Sequence, residues 1–191
     1  MSSSFRIPKA RPDGAYGAVM TRVARRMWGQ VPDNAYVLWH NRAVLRAVFG
    51  FERKVASWSA LDAHLKTYAV MASAGSIGCS WCLDFGYFMA REEGLDLAKV
   101  REVPRWRDST AFTDLERDVM KYAEAMTATP PTVTDEMVAR LDEALGHAAV
   151  VELTMMVAVE NQRSRFNSAM GLASQGYSDV CELPLAVPST T

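Results

Sequence analysis

Apolar residues recur at the three- and four-residue spacing of helices along most of the chain. No segment combines strand length, alternating polarity and β-branched residues, so the pattern predicts an all-α fold. We expect a single compact helical domain of about seven to eight helices. The predicted helices span residues 14–29, 35–51, 60–74, 80–93, 96–102, 113–127, 135–145 and 147–172.

Turn and capping residues divide the chain into three predicted parts. The first 13 residues are polar and contain two prolines, so we expect an N-terminal arm with little function of its own. Residues 14–175 form the predicted helical domain, and residues 176–191 form a C-terminal tail with proline and serine. Inside the domain, Thr113 and Glu116 match a capping box and mark the start of a helix.

The composition limits the classes of partner. With 191 residues, of which 49% are hydrophobic, the chain is long enough to fill one substantial core. A formal net charge of −1, with both signs mixed along the sequence, offers no basic surface for nucleic acid. No uncharged segment approaches the roughly 20 apolar residues that span a bilayer, and the N-terminus lacks a signal-peptide core. These features predict a soluble cytoplasmic protein with a small or neutral partner, no nucleic acid and no membrane.

The most informative motif is a Cys-x-x-Cys pair, Cys79 and Cys82, at the predicted start of a helix. Cysteines three residues apart lie on one helix face, where free amide groups and the helix dipole favour a thiolate. The motif indicates redox or metal chemistry, although two buried small hydrophobes would have the same spacing. The remaining cysteine and the three histidines form no second ligand pair for zinc. We therefore expect no metal and no cofactor, and we interpret Cys181 as incidental.

Three stretches of the chain resemble one known family. Residues 78–82 place the cysteines directly after an alanine-rich helix, with an aromatic residue between them. Residues 61–66 resemble the start of that family's preceding helix, and residues 160–171 resemble its last helix. Over roughly residues 35–175 the chain thus resembles the carboxymuconolactone decarboxylase-like proteins, specifically their alkyl hydroperoxidase D-like branch.

The resemblance implies a fold, an assembly and an activity. The fold would be alkyl hydroperoxidase D-like and all-helical, and the assembly a homo-oligomer, a trimer or larger. In that branch the second cysteine attacks a peroxide, the first converts the sulfenic acid to a disulfide, and an external dithiol reduces the disulfide. Carried over to this sequence, Cys82 would attack and Cys79 would resolve.

This chain departs from the family at the two positions that move protons. The family has a His four residues after the second cysteine and a Glu twelve residues before the first, and these positions are Gly86 and Thr67. His64 lies one helical turn before Thr67 on the same face, so it is a possible substitute relay. The alternative is that His64 is a solvated histidine on the helix surface.

Gly86 leaves space one helical turn from Cys82, where a ligand or another helix can approach. Trp81 and Phe85 are candidates to wall an apolar pocket at this place, together with Thr67, and such a pocket would suit a bulky apolar substrate. The alternative is an ordinary aromatic core in which the glycine is a packing contact.

Polar residues recur along the second half of the last predicted helix, among them Glu160, Arg163 and Asn167. We interpret them as a network that fixes helices or subunits to each other, since bidentate arginine pairs suit interfaces. The alternative is that an Arg or a Glu lines the site. Asp84 points to a different side of its helix from Cys82, and we interpret it as a salt bridge or subunit contact.

Three functional hypotheses follow from these residues. The first is thiol-dependent peroxide reduction or disulfide exchange through Cys82 and Cys79, with a small peroxide or apolar molecule as substrate and an external dithiol as reductant. The second is a redox sensor or structural oligomer without efficient turnover, which the missing relay residues favour. The third is a decarboxylase- or isomerase-like activity of the wider family, which the lack of an obvious cluster of bases weakens.

Overall fold

The computed structural model describes residues 3–178, which contain nine α-helices, one 3₁₀ helix and no strand. The all-α fold class is therefore confirmed. Within this range no helix is long and apolar enough to cross a membrane. Cys181 lies outside the described residues. The helices are α1 (Gly14–Trp28), α2 (Asp33–Leu38), α3 (Arg42–Val55), α4 (Ala63–Ile77), α5 (Ser80–Glu92), α6 (Leu97–Val100), α7 (Asp114–Thr127), α8 (Asp135–Leu145) and α9 (His147–Ala169), with the 3₁₀ helix at Val103–Arg105.

Helix α4 lies at the centre of the fold and packs against α5, α7 and α9. Ala69, Met71 and Ala74 on this helix are completely buried. The alanines let neighbouring helices approach closely, so α4 can be covered on several sides at once. The cysteine motif follows directly at the end of α4, and a buried helix thus anchors the site.

The predicted helix over residues 35–51 is in fact two helices, α2 and α3. Asn41 lies at the break, and its side-chain oxygen accepts hydrogen bonds of 3.2 Å from the amides of Ala43 and Val44. Asparagine is a preferred N-cap residue because its side chain satisfies the free amides of the first turn. This local preference ends α2 and starts α3, although the apolar periodicity continues through the break.

The capping box predicted at the start of α7 is confirmed. The amide of Glu116 donates to the Thr113 hydroxyl at 3.4 Å, and the Glu116 carboxylate accepts from the Thr113 amide at 2.7 Å. The same carboxylate forms an ion pair of 2.7 Å with Lys99. Helices α6 and α7 are therefore held together at the residue that caps α7.

The N-terminal arm packs against the end of α9. The amide of Ser4 donates to the carbonyl of Gly171 at 2.9 Å. The guanidinium of Arg6 donates to the carbonyl of Ala169 at 2.8 Å, which places a positive charge at the negative end of the helix dipole. The arm thus caps the helix that reaches the cysteines.

Candidate active site

The Cys-x-x-Cys motif begins where α4 ends in a tight turn. Gly78 has φ +80°, a left-handed conformation that favours glycine, and the amides of Gly78 and Cys79 both donate to the carbonyl of Ala74 at 2.9 Å. Cys79 is the N-cap residue of α5, and its Sγ accepts the amide of Cys82 at 3.2 Å. The sulfur atoms of the pair lie at disulfide-bonding distance, with 5.3 Å between the Cα atoms. This arrangement suits thiol–disulfide redox chemistry.

Two polar side chains of α9 contact the sulfur of Cys82. The Ser164 hydroxyl lies 3.2 Å from Sγ, and Asn167 Nδ2 donates to Sγ at 3.4 Å. Both side chains are buried. No donor among the described residues reaches the buried Oδ1 of Asn167. The sulfur of Cys82 therefore has two polar contacts within the core, and Oδ1 of Asn167 beside it has no hydrogen-bond donor among the described residues.

Ser164 also contacts a buried carboxyl group. Its hydroxyl lies 2.6 Å from Oε1 of Glu160, which is only 2% exposed. Burial raises the pKa of Glu160 to about 7, although the charge of Arg163 and the hydrogen bond from Ser164 act in the opposite direction. The Glu160 carboxyl group, with its pKa near neutral pH, is thus connected to Cys82 through the single hydroxyl group of Ser164.

Arg163 connects this carboxyl group to α3. Its Nη1 lies 3.5 Å from Oε2 of Glu160, and its Nε donates to Oε1 of Glu52 at 2.9 Å. A further nitrogen of Arg163 pairs with the other oxygen of Glu52, so the contact is bidentate. The polar residues of α9 fix helices to each other, as the sequence indicates, and residues of the same network also contact Cys82.

Ser164 was not predicted from the sequence to be a site residue. A signal was present, because Glu160, Ser164 and Asn167 are spaced at i, i+4 and i+7 and therefore share one helix face. Periodicity groups these residues but does not indicate which helix they face. Only the packing of α9 against α5 shows that the shared face meets Cys82.

The position of the family's histidine is a packing contact. A Cβ atom on Gly86 would lie 3.2 Å from Cγ of Met71, so the Met71 side chain packs against the bare backbone. Thr67 lies one turn before Met71 on α4. The structure therefore agrees with the packing alternative for Gly86, and the polar side chains that contact Cys82 come from α9.

The structure does not bring His64 to the cysteines. Helices α4 and α5 run antiparallel, since Met71 meets Gly86 while Lys66 acts electrostatically on Glu93 at the far end of α5. His64 is at the first turn of α4, about 20 Å along the helix from the turn that precedes Cys79. Its ring packs edge-on against Tyr68, with 5.8 Å between the ring centroids.

The aromatic side chains of α5 form a packed cluster. Trp81 and Phe85 are stacked with 5.1 Å between their centroids, and Tyr177 meets Phe85 edge-on at 5.2 Å. Tyr177 is 2% exposed and belongs to the main core. The packed body therefore extends at least to residue 178, beyond the predicted boundary at 175. The apolar pocket at Trp81 and Phe85 stays a prediction, and Tyr177 fills one side of that region.

A segment that we call the C-terminal strap, residues 172–178, lies over the start of α5. Asp84 is completely buried, and its carboxylate accepts the backbone amides of Gln175, Tyr177 and Ser178 at 2.8, 3.1 and 2.6 Å. The Gln175 side chain accepts from the indole of Trp81 at 2.8 Å. Asp84 thus binds backbone amides of the strap, a contact that the sequence did not predict.

The side chains near the cysteines are poor ligands for a metal ion. In the part of the chain that the structure describes, no three His, Cys, Asp or Glu side chains gather in a metal-binding arrangement. The groups on Cys82 are a hydroxyl and an amide, which are weak ligands for the soft metals that thiolates prefer. The site is better suited to thiol chemistry supported by proton donors and acceptors.

Gly86→His, which introduces the family's residue, is expected to destabilise the fold by about 1–3 kcal/mol because the imidazole must displace packed Met71. In the double variant with Met71→Ala, the total loss should be smaller than the sum of the two single losses, as urea unfolding would show. Gly86→Ala is the matched control, with a change below about 1 kcal/mol. Strict additivity of Gly86→His and Met71→Ala would contradict this packing.

A family model matches part of the chain, and a curated relative matches most of it. The sequence model of the carboxymuconolactone decarboxylase family matches residues 42–125. The uncharacterized protein YnjA of Escherichia coli K12 is 34% identical over 169 residues, which are 88% of this chain and 85% of the relative. The chain belongs to the carboxymuconolactone decarboxylase family, and the resemblance seen in the sequence is confirmed.

Solved structures of low sequence identity share the fold. The debrominase Bmp8, a cysteine-to-alanine variant in complex with 2,3,4-tribromopyrrole, is 18% identical with a TM-score of 0.79, covering 93% of this chain and 97% of that chain. An uncharacterized peroxidase-related protein of Ralstonia eutropha JMP134, with an alkylhydroperoxidase AhpD core, is 15% identical with a TM-score of 0.74, covering 90% of this chain and 95% of that chain. The alkyl hydroperoxidase D-like fold is thereby confirmed.

Proposed function

We propose that this protein reduces a small peroxide through a thiol–disulfide cycle, in which Cys82 attacks and Cys79 resolves. The observation that carries the proposal is the pair of contacts at Cys82 Sγ, from the hydroxyl of Ser164 and the amide of Asn167. Hydrogen-bond donors that converge on a sulfur atom stabilise its thiolate, and the thiolate is the nucleophile. Cys79 is at disulfide-bonding distance and can complete the cycle.

The proposed cycle begins when the Cys82 thiolate attacks one peroxide oxygen. A sulfur–oxygen bond forms, the oxygen–oxygen bond breaks, and the leaving alkoxide takes up a proton to become an alcohol. The Cys79 thiol then attacks the Cys82 sulfenic acid, which forms the disulfide and releases water. An external dithiol reduces the disulfide, as expected in the reducing cytoplasm.

The orphaned acceptor of Asn167 supports a substrate that carries a hydroxyl proton. Its Oδ1 is buried without a hydrogen bond from any described residue, which costs about 1–3 kcal/mol. A hydroperoxide bound next to Cys82 would donate its O–H to this oxygen. The same contact would hold the distal oxygen of the substrate close to the attacking sulfur.

A thiol count tests the proposal in this chain carrying Cys181→Ser, so that the remaining thiols are Cys79 and Cys82. One equivalent of an organic hydroperoxide should remove both thiols, and an added dithiol should restore them over repeated cycles. Thiol loss no faster than that of free cysteine would contradict the proposal and favour the sensor or structural hypothesis.

A bromopyrrole is the second substrate probe, because Bmp8, which shares the fold, is a debrominase. The apolar cluster of Trp81 and Phe85 beside the motif favours testing an aromatic substrate. Loss of two thiols with release of bromide, but no reaction with peroxide, would move the proposal from peroxides to halogenated aromatics.

A further inference from the structure

We infer that Glu160 exchanges a proton with Cys82 through the hydroxyl of Ser164. This exchange would replace the family's His and Glu relay, whose positions are Gly86 and Thr67 in this chain. The inference rests on the proposed function, because it assigns the proton steps of the same thiol chemistry. The three groups lie in a row, with Ser164 Oγ 3.2 Å from Cys82 Sγ and 2.6 Å from Glu160 Oε1. All three are buried, so protein groups rather than bulk water connect them.

The single proton of a hydroxyl limits how this row can be arranged. When Ser164 donates to an ionised Glu160, it accepts the thiol proton of Cys82. When Ser164 donates to a Cys82 thiolate, it accepts the proton of a neutral Glu160. Both arrangements contain the same protons and the same total charge. The exchange therefore ionises the thiol without adding a charge to the buried site. An additional buried charge would cost free energy.

The charged groups that act on Glu160 favour this exchange near neutral pH. Burial, the largest effect, raises the pKa of Glu160 to about 7, Arg163 lowers it and Glu52 of α3 raises it. Helix α5 contributes the Cys82 thiol, and no described charged group of α4, α7 or α8 is among those that act on Glu160. Because Arg163 is also paired with Glu52, its charge only partly neutralises Glu160.

The exchange balances the protons of the peroxide step. Glu160 takes the Cys82 proton through Ser164, and the thiolate then attacks the peroxide. The neutral Glu160 returns the proton through Ser164 to the leaving alkoxide, so that an alcohol is released and the carboxylate is restored. The later water-forming step uses the proton of the Cys79 thiol, and the dithiol returns both thiol protons at the end of the cycle.

The test measures alkylation of Cys82 by iodoacetamide as a function of pH, in the full chain carrying Cys79→Ser and Cys181→Ser. A shared proton predicts two steps in this profile, because the Cys82–Glu160 pair loses its two protons one after the other. Glu160→Gln and Ser164→Ala should each remove the lower step and leave one. In the protein with both active-site cysteines, each should lower peroxide turnover at neutral pH by about 10²-fold.

Ser73→Ala is the matched control, since Ser73 is equally buried and its hydroxyl donates to the carbonyl of Ala69 on its own helix. This variant should keep both steps. A single step in the parent protein, or two unchanged steps in Glu160→Gln and Ser164→Ala, would overturn the inference. If Glu160→Gln fails to fold, Ser164→Ala decides the question, because it interrupts the row and leaves Glu160 in place.

The alkylation profile separates this inference from the proposed function because it needs no peroxide. A parent profile with two steps, together with no peroxide turnover, would overturn only the proposed substrate chemistry. Peroxide turnover that depends on Cys82 but is unaffected by Glu160→Gln and Ser164→Ala would overturn only the proton exchange.

Discussion

Cys82→Ser is expected to lower steady-state peroxide reduction by about 10³-fold or more. A serine hydroxyl at this position would receive the same contacts from Ser164 and Asn167, but it does not ionise near neutral pH and does not form a sulfenic acid. Cys79→Ser should behave differently, because Cys82 still reacts once and the product then lacks its resolving thiol. Turnover supported by a dithiol, followed by stopped-flow absorbance or peroxide electrode, distinguishes the two variants.

Cys181→Ser serves as the control for these variants, because we assign Cys181 no role and expect wild-type turnover. Cys82→Ser with more than about a tenth of the wild-type rate would contradict the assignment of Cys82 as the attacking residue. Loss of all reaction in Cys79→Ser, with activity retained in Cys82→Ser, would reverse the two roles.

Asp84→Ala is expected to lower the free energy of unfolding by about 3 kcal/mol or more. Three backbone amides of the C-terminal strap lose their acceptor, and each buried donor left without a partner costs about 1–3 kcal/mol. Detachment of the strap would limit this loss, and it would also expose Tyr177 and the indole of Trp81. Urea unfolding measures the loss, and limited proteolysis after α9 reports the detachment.

Asp84→Asn is the matched variant for this prediction, because it keeps one acceptor oxygen and nearly the same shape. It should cost less than Asp84→Ala and leave the strap more resistant to proteolysis. An Asp84→Ala variant within about 0.5 kcal/mol of wild type would show that the strap contributes little to folding.

Local signals in the sequence were sufficient for much of the helical framework. The capping box of Thr113 and Glu116 depends on residues three positions apart, and it forms as predicted. The break at Asn41 was missed because the apolar periodicity of α2 and α3 continues across it. A local cap can thus end a helix where the hydrophobic pattern alone would extend it.

Predicting the site from the sequence would have required long-range contacts, which local patterns do not contain. His64 shares a helix face with Thr67, but a shared face does not give the position along the axis, and the antiparallel packing of α4 and α5 places His64 far from the motif. The contact between Ser164 and Cys82 joins residues 82 positions apart in sequence. The family resemblance singled out the cysteines, and only the packing of α9 shows which polar side chains contact Cys82.

The most direct test is the rate at which a hydroperoxide oxidises Cys82 when Cys82 is the only remaining thiol. In Cys79→Ser, with Cys181→Ser, dimedone is added together with one equivalent of hydroperoxide, and the adduct is mapped by tandem mass spectrometry. We expect a dimedone adduct on Cys82, formed much faster than on a free cysteine. Oxidation of Cys82 at the rate of a free thiol would contradict the claim that Cys82 is the attacking residue of a thiol peroxidase.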